Sequence, residues 1–101
     1  MNNEKQIEKK IQEKGLNAPH LTPADIDAAI VKEQYHIFEG TTVTVCALTL
    51  RNGYVTTGTS AASSPDNFDE EIGRQVARHN ARDKIWSLEG YLLRERLNRG
   101  N

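Results

Sequence analysis

The residues best able to do chemistry are one aromatic and a set of arginines in the last third of the chain. Phe68 closes the polar loop Ser60-Ala61-Ala62-Ser63-Ser64-Pro65-Asp66, where a large ring has no local reason to sit. It can plug the core under a helix start, or it can stack on a base. Arg74, Arg78 and Arg82 follow at intervals of four, on one side of a helix, with Asn80 on another side. Arg94, Arg96 and Arg99 cluster further on. Arginine is suited to bidentate phosphate contacts, although the same residues also keep a helix soluble. Catalytic patterns are missing. His20, His36 and His79 have no second histidine or cysteine at metal-ligand spacing. Cys46 falls in a predicted core strand, where a thiol is inert. Asp69, Glu70 and Glu71 read as helix N-terminal acids rather than acid/base groups. No enzyme, metal or cofactor is expected.

The elements that position these residues follow from pattern. Residues 1–18 read as a helical or flexible segment, with Ile7 and Ile11 as a thin stripe and Gly15 as a helix end. Residues 19–101 read as a single α+β domain. Thr22 caps a short helix with Pro23 at its first position, ending near Lys32 or Glu33. Tyr35, Ile37 and Phe38 mark a short strand, and Glu39-Gly40-Thr41 a turn. A strand runs from Thr42 to Leu50 and returns from Tyr54 to Ser60 around Asn52-Gly53, which predicts a type I′ turn. A two-residue turn sets Leu50 against Val55, Leu48 against Thr57 and Cys46 against Thr59, with this face in the core. On the opposite face, Ala47 against Gly58 and Val45 against Ser60 offer close approach to another backbone or a ligand. The result is a three-stranded antiparallel meander.

A capping box at Asn67 and Glu70 opens one long helix, from Phe68 or Asp69 to about Leu97. Its apolar stripe is Ala77, Ala81, Ile85, Leu88 and Leu92, and Gly73, Ala77 and Ala81 form a small-residue ridge. Trp86 and Leu93 lie on a second face beside Ile72. Two apolar faces on a helix this long predict packing in an oligomer.

Composition bounds the partners. The 101 residues carry 13 basic and 14 acidic groups, a net charge of −1. That disfavours long nucleic acids and polybasic membrane contact. The charge is uneven: six basic and eleven acidic groups over residues 1–73, seven and three over 74–101. One basic helix in a balanced chain suits a small ligand with two or three phosphates. No apolar run reaches the ~20 residues that cross a bilayer, and Met1-Asn2-Asn3-Glu4-Lys5 lacks a signal-peptide apolar stretch.

Four stretches resemble one family of small bacteriophage proteins. They are Leu21-Thr22-Pro23-Ala24-Asp25-Ile26, Leu48-Thr49-Leu50-Arg51-Asn52-Gly53-Tyr54, Pro65-Asp66-Asn67-Phe68-Asp69-Glu70-Glu71-Ile72-Gly73-Arg74, and Ala81-Arg82-Asp83-Lys84-Ile85-Trp86-Ser87-Leu88-Glu89-Gly90-Tyr91-Leu92-Leu93. The family is the one named for gene product 49 of a coliphage and gene 66 of a Shigella phage. The resemblance covers roughly residues 19–97. The family is similar to the Thoeris anti-defence 1 proteins. That resemblance implies an oligomeric sponge in the cytoplasm of the infected bacterium. Such a sponge binds a cyclic ADP-ribose isomer, or cyclic oligonucleotides, and holds it away from a host effector. Chemistry then assigns the ligand contacts to Phe68, Arg74, Arg78, Asn80 and Arg94. The alternative is an interaction module that blocks a host or phage protein through the long helix and hairpin.

Overall fold

A computed structural model describes residues 3–100. The elements run α1 (Glu4–Glu13), α2 (Pro23–Ala28), β1 (Ile30–Ile37), β2 (Val43–Leu50), β3 (Val55–Ala61) and α3 (Glu70–Asn98). The strands form one antiparallel sheet in the order β1-β2-β3, and α3 lies across one face of it. The α+β reading and the long helix match the sequence expectations.

Alternation decides which face of the sheet is covered. Thr44, Cys46, Leu48 and Leu50 of β2 point under α3 and are buried, while Val43, Val45, Ala47 and Thr49 face the other way and are half-buried. Ile26 and Ala29 close one end of this layer. Ala77, Ala81 and Ile85 of α3 complete the core. Ile26, Leu48 and Ile85 are fully buried, each contributing about 1.5–3 kcal/mol by removal from water.

Four local expectations are corrected. First, α2 ends at Ala28 rather than near Lys32, and residues 30–34 are already strand. The β-branched pair Ile30-Val31 favours extended backbone, and Ile30 pairs with Leu50 across a bulge before Lys32. The cap itself is as expected, and complete: Thr22 Oγ1 accepts from Asp25 N–H, and the Asp25 carboxylate accepts from Thr22 N–H.

Second, the Asn52-Gly53 turn is not type I′. Asn52 does not have positive φ; Gly53 alone in this turn does, at 90°. Gly53 N–H donates to Leu50 C=O, and Leu50 N–H donates to Tyr54 C=O. This is a three-residue loop, a type I turn followed by a left-handed glycine.

Third, that extra residue shifts the register by one. Cys46 faces Gly58 and Leu48 faces Thr56, so Val55 is exposed instead of in the core. Gly58 does permit a close backbone approach, but on the α3 side. A Cβ there would lie inside contact distance of Ala81 N and Ala77 O.

Fourth, the α3 N-cap is Asp69, whose carboxylate accepts from Ile72 N–H at 2.9 Å. Asn67 belongs instead to a separate 3₁₀ turn over Pro65–Asn67.

The 29 residues of α3 span roughly 43 Å at 1.5 Å each, most of the 52 Å long axis of the molecule. The helix therefore outruns the sheet. Leu88 is half-buried and Leu92 exposed, so the predicted stripe emerges from the core at its far end. Ile72, Val76, Tyr91 and Leu97 are also exposed on α3. The face carrying Trp86 is covered within the chain, because α1 packs beside it. No helix among the described residues is long and apolar enough to cross a membrane.

Candidate functional site

The predicted ligand residues spread along α3. Phe68 is half-buried at its start, with the ring against Gly73, where a Cβ would meet Phe68 Cε1 at 3.7 Å. Arg74 lies two turns further along the chain, 3.7 Å from Glu70. Arg78 and Asn80 leave the helix on opposite flanks. Arg78 reaches β1 and pairs with Glu33 at 2.9 Å. The Asn80 amide donates to Thr59 C=O on β3 at 2.9 Å. Arg94 is exposed on the overhanging end of α3. From Glu70, two residues after Phe68, to Arg94 the helix rises roughly 36 Å at 1.5 Å per residue. Phe68 and Arg74 thus share one end of α3, whereas Arg94 cannot reach them within one chain.

The basic helix is also less available than its sequence implies. Glu33 lifts the Arg78 guanidinium above its ordinary range, and Arg78 in turn holds the Glu33 carboxyl below its own. Arg99 pairs with Glu95, four residues earlier. Arg82 is nearly buried and holds three partners. Its Nε donates to Asp27 at 2.8 Å, Nη1 to Glu4 at 2.7 Å and Nη2 to Pro23 C=O at 3.3 Å. Burial disfavours this charge, but Glu4 and Asp27 more than offset it and raise the guanidinium pKa.

Two recesses flank this part of α3. A polar cleft of about 430 Å³ is lined by Lys5, Asp27, Gln75, Arg78, His79 and Arg82 among others. An apolar groove of about 390 Å³ lies where the β2–β3 turn meets the overhang of α3, walled by Leu50, Tyr54, Leu88, Tyr91 and Leu92. At its edge Arg51 donates to the buried Glu89 carboxylate at 2.9 Å. Both volumes fall within the usual range for small-ligand sites.

Cys46, Tyr35, His20 and His79 each have a local partner or are buried. Burial pushes the Cys46 thiol up, and the Tyr35 hydroxyl donates to Glu33 at 2.9 Å. His20 is held by Glu8 and His79 lies 3.3 Å from Asp83. Among the described residues, no three His, Cys, Asp or Glu side chains gather to hold a metal ion.

Sequence reading missed two features. One is the Glu4–Arg82–Trp86 cluster, in which the Glu4 carboxylate also accepts from Trp86 Nε1 at 3.0 Å. The four-residue spacing of Arg82 and Trp86 signalled a shared helix side, but nothing local ties them to Glu4. The other is the pairing of Tyr54 with Tyr91 in one groove, which depends on the true length of the turn.

No curated protein and no solved structure matches the chain. A family model described as phage protein (N4 Gp49/phage Sf6 gene 66) matches residues 21–97, from the cap of α2 to the last turn of α3. The chain is a phage protein and belongs to the N4 Gp49/phage Sf6 gene 66 family.

Proposed function

We propose that this phage protein is an anti-defence sponge of the Thoeris type. It binds a nucleotide immune signal, a cyclic ADP-ribose isomer or a cyclic oligonucleotide, without catalysis. It acts in the cytoplasm of the infected host, in a site completed by a second copy of the chain.

The observation that carries this reading is the separation of Phe68 from Arg94 along α3, with exposed apolar side chains between them. Ile72 and Val76 share one side of the helix with Leu97, just beyond Arg94, and each is about two-fifths exposed or more. A second α3 laid antiparallel along this strip would cover them. It would also bring its Arg94 to the end of the first copy that carries Phe68. The aromatic ring then stacks on a base and the arginines meet phosphates. A sponge needs tight binding rather than turnover, and a pocket formed in advance between subunits serves that end.

The test is calorimetry with cyclic ADP-ribose isomers and cyclic oligonucleotides, followed by recovery of the ligand after heating. Binding with unchanged ligand is expected, and absence of heat with every compound overturns the reading. Phe68→Ala and Arg94→Ala should each abolish binding alone. Co-expressed, the two variants should regain one working site per mixed dimer, because one of its two sites keeps both wild-type residues. Failure to complement would put the site within one subunit.

A second reading is favoured by the apolar groove at the hairpin tip. Its tyrosines and leucines suit an apolar side chain of a bound protein. A stoichiometric host protein captured from infected cells, and lost on Tyr91→Glu, would support an inhibitor of that protein instead.

A further inference from the structure

Glu4 sits at the start of α1, a helix with no buried residue. Its carboxylate nevertheless meets two donors of α3. One oxygen, Oε2, takes Nη1 of Arg82 at 2.7 Å and Nε1 of Trp86 at 3.0 Å. The Arg82 side chain is 9% exposed and that of Glu4 18%. The receiving groups are built into rigid elements. Arg82 and Trp86 share one side of α3, and Asp27 and Pro23 C=O fix the other edges of the guanidinium. A guanidinium and an indole N–H aimed at one point make an oxyanion site. The carboxylate that fills it arrives on a loosely seated helix, beside an apolar gap of about 300 Å³ between α1 and the body.

We propose that Arg82 and Trp86 form a phosphate-binding subsite that Glu4 occupies from within the chain, and that an external phosphate group takes its place when α1 lifts away. The cleft at the same spot favours phosphate over a carboxylate. It holds about 430 Å³ and brings Lys5 and His79 to the wall that carries Arg82. Its volume admits a small phosphorylated molecule as well as the bare ion. α1 thereby acts as an internal competitor, which sets a threshold for ligand. This subsite stands on residues other than those of the proposed nucleotide site, and its test does not depend on that reading.

Trp86 is the one tryptophan in the chain and reports directly on the contact. Inorganic phosphate is titrated into the full chain at constant ionic strength, against chloride, while the Trp86 emission is followed. Wild type is compared with Glu4→Gln, which keeps the shape but removes the competing charge. The midpoint should fall at least about tenfold in Glu4→Gln, equivalent to about 1.4 kcal/mol. In the wild type, phosphate should also speed amide exchange along residues 5–13. Equal midpoints in the two proteins, or no emission change in Glu4→Gln, overturns the proposal. Because α1 buries no side chain, Glu4→Gln should keep the wild-type helical signal, which a far-ultraviolet spectrum checks.

Discussion

Gly58 of β3 and Ala81 of α3 meet backbone to backbone. A Cβ on Gly58 would fall inside contact distance of Ala81 N, and 2.8 Å from the carbonyl carbon of Asn80. Helix α3 can lie this low on the sheet because Ala77 and Ala81 are small and Gly58 has no side chain. Gly58→Ala has no flexible group to push aside, since the obstacles are main chain. The expected cost is about 3 kcal/mol or more, above the common range for one added methyl. Urea unfolding measures it, and a loss below ~1 kcal/mol would mean that α3 rides higher over the sheet.

That contact also explains what could be read in advance. The periodicity of α3 and the small-residue ridge Gly73, Ala77, Ala81 were legible, because helix faces follow directly from spacing. The hairpin was legible as a hairpin but not in its register. Asn-Gly suits both a two-residue turn and a type I turn ending in a left-handed glycine. The choice between them depends on α3, which needs Gly58 rather than Thr57 or Thr59 beneath Ala77 and Ala81. Strand β1 was half hidden because residues 31–36 are exposed and show no buried alternation, and Glu33 and Tyr35 meet Arg78 only across the fold. For the candidate site, residue types were legible and distances were not. Four-residue spacing showed a row of arginines, but the acidic partners of Arg78 and Arg82 lie far away in sequence.

Thr44 is fully buried, and its hydroxyl lacks a hydrogen-bond partner among the described residues. It faces Gly73, where a Cβ would come within 2.8 Å of Thr44 Oγ1. Valine has the same shape without the stranded oxygen. Thr44→Val should therefore stabilise the fold by about 1 kcal/mol. Thermal unfolding reads the change, and a lower Tm would reveal a partner for the hydroxyl.

Arg51 and Glu89 tie the hairpin tip to α3 at 2.9 Å. The carboxylate is buried and the arginine half-exposed, so the two sides of the pair are not equivalent. Arg51→Ala leaves a desolvated charge on Glu89, whereas Glu89→Gln leaves a neutral amide that still accepts from Arg51. The arginine change should cost about 1–2 kcal/mol and the glutamine change less. Chemical denaturation of both variants checks the order, and a glutamine change that costs more than the arginine change overturns it.

α1 is fastened at its middle by Glu8 and His20, 3.1 Å apart. The Ala18 carbonyl and then the Glu8 carboxylate raise the His20 pKa above 6.5. The Gln12 amide and then His20 hold Glu8 below 4.5. The histidine contribution is complete below pH 6.5 and disappears as pH rises through its raised pKa. The glutamate contribution is complete above pH 4.5 and disappears as pH falls through its lowered pKa. Docking of α1 should thus be firmest between these values. Amide exchange of residues 5–13, corrected for intrinsic rates, should show greater protection at pH ~5.5 than at pH ~8.5. His20→Ala should remove the difference, and a profile unchanged by that variant would leave Glu4 as the main fastening.

Cys46 reports on the seam between the sheet and α3. It is fully buried opposite Gly58, and burial raises its thiol pKa while the neighbouring Tyr35 hydroxyl pulls the other way. A buried, protonated thiol reacts only when the structure opens, since the thiolate is the nucleophile and must be reached. Labelling by a disulfide reagent under native conditions should be slower than for a free cysteine by on the order of 100-fold or more. The opening that exposes Cys46 must lift α3 away from Gly58. Labelling rates across a urea series should therefore follow global unfolding and not the release of α1. Gly58→Ala, which weakens this seam, should accelerate labelling strongly, whereas Glu4→Gln should leave it nearly unchanged. Rapid labelling of the native chain, or equal acceleration by both variants, would mean that the seam and α1 open as one unit.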